Sequence, residues 1–217
     1  MLGEMAKFYT DGGIFMHPIA FVSIFGLAIV IERFIFLFFK YNINANQFTA
    51  QIHKLVMANN IDRAIKLCNA AAPAVLAKVL KAGLTRANKG EIEIANAIEE
   101  ATLEIVPQVQ KRTGTLQSLA NIATLLGLLG TIMGLIEAFA AVANAPAEQK
   151  TQMLTAAIAI AMNTTAFGLI VAIPFLLAYV FLNNVTKKII DEVDQHSVKL
   201  QNLLASRGKG ETNPLDR

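Results

Sequence analysis

LLGLLGTIMGLIEAF (residues 125–139) and NTTAFGLIVAIPF (residues 163–175) decide how this chain folds. Each lies inside a longer apolar run, 119–142 and 153–182. Either run is long enough as a helix to cross a bilayer core of about 30 Å, which takes roughly 20 residues. Lipid-facing helices have no need of Gly127, Gly130, Gly134 or Thr131. At about 100° per residue, Thr131 lies within about 60° of Thr124, Gly127, Gly134 and Ala138. On the second helix, Thr165 shares a stripe in the same way with Ile158, Ala161, Gly168 and Ala172. Small stripes let helix backbones approach, and hydroxyls on them bond across the contact or hold water. Plain helix packing and an ion path are both open at this point. Asn163 is turned about 160° from Thr165, and Glu137 about 120° from Thr131, so neither shares a threonine stripe.

Working outward, the chain has 54% hydrophobic residues and a mean hydropathy of +0.49 over 217 residues, the composition of a one-module membrane protein. A third apolar stretch covers residues 18–39. Ten Lys and Arg residues fall between Lys40 and Arg112, and six after Asn183, against Lys7 before the first stretch and Lys150 in the link. The positive-inside rule places the N-terminus outside and the C-terminus inside. The expected organisation is therefore an external segment 1–17, spans 18–39, 116–143 and 153–182, an external link 144–152, a cytoplasmic helical domain 40–115 and a cytoplasmic helix and tail 183–217. The start MLGEMAKFYTDGG lacks a basic leader, and no small-residue cleavage site follows the first span, which is expected to be retained. Glu32 and Arg33 at its inner end read as an interfacial charge pair.

In the polar part, Ile61, Ala64, Ile65 and Cys68 share a helical face, and Pro73 ends that helix before another begins near Val75. Asn88-Lys89-Gly90 signals a turn, after which Glu91 opens a run that could extend to Val142, bent or broken at Pro107. Glu91, Glu93, Glu99, Glu100 and Glu104 read as a solvated face. Val185, Ile189, Val193, Leu200 and Leu204 keep one apolar face in the tail, while SRGKGETNPLDR, from Ser206, has loop composition.

Little else carries chemistry. Cys68 is the single cysteine, and His17, His53 and His196 lie far apart in sequence with no second ligand at metal spacing. There is no phosphate loop, zinc-protease motif or nucleophile elbow. Basic residues are dispersed and Trp is absent, which gives nucleic-acid binding no footing. No enzyme, metal or cofactor is expected. The remaining candidates are polar groups in the spans: Thr131 and Thr165 first, then Glu137, Asn163, Thr164 and Thr124. Gly127, Gly134, Ala161, Gly168 and Pro174 shape the helices around them. Threonine hydroxyls align water but do not ionise at physiological pH, so an ion path here needs a titrating group from another chain.

The two quoted motifs, in this order and spacing, resemble the paired signature of the MotA/TolQ/ExbB proton-channel family. A Leu-Gly-Thr helix (Leu129-Gly130-Thr131) precedes a Thr-Ala-x-Gly-Leu helix ending in Ala-Ile-Pro (Thr165 to Pro174). The resemblance implies an all-α bacterial inner-membrane protein of the three-span TolQ/ExbB branch. It also implies a homo-oligomer, a pentamer, enclosing an ExbD/TolR-like one-span partner whose membrane aspartate carries the ion. Ion flow would then be converted to mechanical work on the envelope. The chain departs from the family pattern where a glutamate five residues before Thr165 is replaced by Ile160, and where Thr124 stands in place of a proline. A non-conducting scaffold, a sodium-driven version of the same motor and a solute transporter are the alternatives; three spans give the last little room for a midplane site.

Overall fold

The computed structural model describes residues 8–10, 12–41, 43–143 and 145–211, the side chains of 208–211 excepted. Residues 1–7, with Lys7, and the end of the tail from residue 212 lie outside them. All regular structure among the described residues is helical. In chain order the elements are α1 (Met16–Ile35), a π-helical turn (Phe36–Tyr41), α2 (Ala45–Met57), α3 (Ile61–Ala70), α4 (Val75–Thr85), α5 (Glu91–Gln110), α6 (Thr113–Ala143) and α7 (Ala147–Glu211). Three helical runs, Met16–Met57, Glu91–Ala143 and Ala147–Arg207, are long and apolar enough to cross a membrane.

The chain divides into two compact units, and α7 contributes to both. The first comprises residues up to Glu32 with Arg112–Phe181. Its helices are apolar nearly all round, as membrane spans are, and what they bury is their small residues. Ala120, Ala123, Ala161 and Ala172 are at most 2% exposed, whereas Leu125, Ile136, Ile170 and Leu177 are more than half exposed. Close backbone approach explains the pattern. A Cβ added to Gly168 would lie 2.7 Å from the Ala123 carbonyl oxygen, and one added to Gly127 would lie 3.1 Å from Thr165 Cα. At Gly168 the backbone oxygen leaves no room for a side chain, and at Gly127 the fit is tight. On α1, Met16, Ile19, Gly26 and Ile29 are buried at spacings of 3, 7 and 3 along one face, with Gly26 seated under the Phe175 ring. The opposite face carries Phe21, Ile24 and Ile31 outward.

The second unit comprises Arg33–Lys111 with Leu182–Arg217. Asn44 caps α2 by accepting from the Gln47 N–H at 3.2 Å. Its core is built from Ile52 and Val56 of α2, Ala64 and Cys68 of α3, Val79, Leu80 and Leu84 of α4, and Ile94 and Ile98 of α5. Ile189, Val193, Leu200 and Leu204 of α7 are also buried here, so the tail helix packs on the polar helices of its own chain. Cys68 is 1% exposed, and burial raises its thiol to about 11, against the opposing pull of Lys81. It is an inert core residue.

Three expectations change. The run from Glu91 to Val142 is two helices, and the break falls at Lys111–Arg112. Pro107 stays inside α5, its carbonyl accepting from the Lys111 N–H at 2.9 Å, and Arg112 takes φ 63. Proline lacks only its own donor, so the stop comes one turn later. Residues 147–152, read as link, are the first turns of α7, because Ala147, Glu148, Gln149 and Lys150 are good helix formers despite their polarity. Residues 206–211 are helical rather than loop. Glu32 meets Arg112, whose Nη1 donates to both carboxylate oxygens at 2.5 and 2.6 Å, while Arg33 is 3% exposed with its guanidinium 5.8 Å from the Phe36 ring centroid.

Candidate functional site

The glycine crossing of α6 and α7 determines what lies beside it. Where Gly127 and Gly168 bring the backbones together, Thr165 Oγ1 crosses to α6 and donates to the Gly127 carbonyl at 2.9 Å. Thr131 Oγ1 lies 3.2 Å from the same carbonyl, one turn back on its own helix, and 3.3 Å from the Ala161 carbonyl of α7. The two hydroxyl oxygens are hydrogen-bonded to each other. Both threonines are half-buried. The structure thus gathers Thr131, Thr165, Gly127, Gly134, Ala161 and Gly168; a Cβ on Gly134 would meet Ala161 Cβ at 2.9 Å.

Each hydroxyl has one proton and two lone pairs. Thr165 commits its proton to Gly127, and Thr131 has three acceptors within reach on the two helices. Both protons are therefore spent inside the hairpin, and the remaining capacity of the pair is to accept. No carboxylate, histidine or cysteine joins this cluster among the described residues, so it can order a proton-bearing group but cannot itself hold the charge.

The other polar residues stand apart. Thr124 is bonded back to Ala120 O at 3.1 Å, a local helix contact. Glu137 is exposed, Asn163 is half-buried, and Ile160, where the family pattern has glutamate, is 47% exposed. Pro174 is exposed within α7, next to buried Phe175. Thr164 faces the chain start instead. It is 2% exposed and donates to Gly12 O at 2.9 Å, and its methyl fills the space left by Gly130. The segment before α1 continues this contact, with Phe8 and Tyr9 edge-on to Phe167 and the Tyr9 hydroxyl 2.7 Å from His17 Nδ1. Sequence reasoning missed the Gly127 carbonyl and the Thr164–Gly12 bond. The first was discoverable from the glycine stripe; the second, 152 residues apart in the chain, left no local signal.

The glycines and threonines of the site, on both helices, fall within the stretch that matches known proteins. Residues 71–195, more than half of the chain, match the family model described as the MotA/TolQ/ExbB proton channel family. The chain belongs to that family. Among its relatives, a putative biopolymer transport protein ExbB-like 3 of Synechocystis sp. is 30% identical over 168 residues, 76% of this chain and 79% of that protein. A putative biopolymer transport protein ExbB homolog of Methanothermobacter thermautotrophicus is 23% identical over 193 residues, covering 89% and 67% of the two chains. The Tol-Pal system protein TolQ of Haemophilus influenzae is 33% identical over 91 residues, 42% of this chain and 38% of that one. As a MotA/TolQ/ExbB protein the chain is a membrane protein of a transport and channel family, and the all-helical expectation with three apolar spans is borne out.

Proposed function

We propose that this protein is the ring-forming subunit of an ion-driven motor in the bacterial inner membrane, enclosing a one-span partner that carries a membrane aspartate. The observation that supports this reading is the Thr131–Thr165–Gly127 cluster: a polar site at a helix crossing, with its protons committed inward and no titratable side chain in it among the described residues. An acceptor-only site favours the protonated form of a visiting carboxylic acid over the carboxylate, whose lone pairs it would face. Loading the partner's acid with a proton then seats it against the threonines, and losing the proton releases it. A cycle of that kind rectifies ion flow into motion, because each charge crossing supplies about 2.3 kcal/mol per 100 mV. The work is done on the envelope, in line with the relatives, whose names concern biopolymer transport and the Tol-Pal system.

The test is flux. The purified protein alone in liposomes is expected to pass protons at near-background rates, rising several-fold when the one-span partner is incorporated. Robust flux from the single protein would place a relay within this chain, with Glu137 the first residue to change. Sodium-gradient liposomes run in parallel separate the two ions.

Orientation has its own test. In a Cys68→Ser background, cysteines at Ala147 and Asn88 are expected to react oppositely with an impermeant maleimide on intact cells. Position 147 labels and position 88 does not. External labelling at 88 would reverse the assigned topology and remove the motor reading.

A further inference from the structure

The second helical unit contains a cleft of about 590 Å³ between α2 and the distal part of α7. Its volume falls in the range of small-molecule sites, about 300–1,000 Å³. The lining has two chemistries. Ile52 and Leu200, 0% and 2% exposed, form an apolar floor with Leu203 beside them. Around that floor stand Thr49, His53, His196 and Lys199. Among the described residues no carboxylate lines the cleft; Glu192, one turn before His196, lies outside it. Two lining residues carry hydrogen-bonding capacity that the fold leaves unused. Thr49 Oγ1 and His196 Nδ1 are buried with no partner among the described residues, and His196 is only 3% exposed. Buried polar atoms in folded proteins almost always find a partner.

We infer that this cleft binds a small organic monocarboxylate with a short apolar body. Lys199 supplies one positive charge, matched to one negative charge. Burial and neighbouring Lys199 lower the His196 pKa, against the opposing effect of Glu192, so near neutral pH its ring serves as a neutral hydrogen-bonding group. A dianion such as phosphate would be undercompensated and would leave the Ile52–Leu200–Leu203 floor wet. A neutral alkyl compound would leave Lys199, Thr49 and His196 unserved. The lack of a lining carboxylate among the described residues argues against a cation despite the two histidines.

The experiment uses the full chain in nanodiscs, with isovalerate as a water-soluble probe followed by saturation-transfer NMR and calorimetry. Saturable binding in about the millimolar range is expected for so small a ligand. Lys199→Met and, separately, His53→Gln report the lining; circular dichroism checks that both keep native helicity. Lys199→Met is expected to weaken isovalerate at least about tenfold, and isovaleramide, its uncharged analogue, to bind the native protein more weakly by a similar factor. Inorganic phosphate is expected to be the poorest probe. Absence of saturable isovalerate binding up to about 50 mM, unchanged binding in a folded Lys199→Met protein, or phosphate binding as tight as isovalerate would each overturn the inference. The result is independent of the motor reading, which the flux measurement decides.

Discussion

Replacing Thr131 or Thr165 with valine is expected to abolish ion-driven work while the protein still assembles. Valine keeps the shape of threonine and removes the oxygen, so it deletes the bonds to Gly127 O and Ala161 O without opening a cavity. If these bonds only hold the hairpin together, their loss is worth about 0.6 kcal/mol each, less than a threefold effect. If the pair receives a proton-bearing acid, the loss is about tenfold or more, because a hydrogen bond to a charged or proton-donating group is worth about 1.5–3 kcal/mol and the acid loses one of its two acceptor hydroxyls. Serine restores the hydroxyl and sacrifices a methyl group, and is expected to retain most activity. Glu137→Gln, on an exposed surface away from the cluster, is expected to be milder than either valine change. Native gels beside the proton-driven activity of the five variants decide the matter. Active valine variants at both positions would reduce the cluster to packing.

The second large effect belongs to Gly168. Alanine here sets a methyl group 2.7 Å from the Ala123 carbonyl oxygen and 3.2 Å from Gly127 Cα, both backbone atoms that cannot rotate away. The helices must part, at about 1–3 kcal/mol for overpacking of this kind, and Thr165 moves out of reach of Gly127 O. Thermal unfolding in detergent is expected to shift down by several degrees, with activity lost in parallel. Gly114→Ala is the control, since nothing lies within 4 Å of its added Cβ. Equal midpoints for the two variants would mean that the crossing relaxes freely and does not position the threonines.

Much of the site is legible in the sequence because it is built on periodicity. Gly127, Thr131 and Gly134 fall on one stripe, and Ala161, Thr165 and Gly168 on another. A helix period alone therefore shows that two small faces exist, although not that they face each other. Periodicity puts Gly127 on the contact stripe, but the bond that its carbonyl accepts from Thr165 across the two helices is established by the structure. Element ends depart from the sequence expectation for identifiable reasons. Polarity marks residues 147–152 as a link, but their helix propensity decides. The α5–α6 break uses Arg112 at positive φ, a position where glycine or asparagine would have announced it. The cleft leaves no trace in the sequence because His53 and His196 belong to segments far apart in the chain, each unremarkable by itself.

The contact between Glu32 and Arg112 has a consequence for how the chain is made. The two residues are 80 positions apart, and everything between them belongs to the other helical unit. Ribosomes add about 5–20 residues per second, so Glu32 is synthesised roughly 4–16 s before Arg112 exists. During that interval Glu32 lacks its Arg112 partner. Arrival of Arg112 supplies that contact, just before the glycine-rich helices follow. The ion pair is therefore a timed latch, closing only after the whole intervening polar segment has been synthesised.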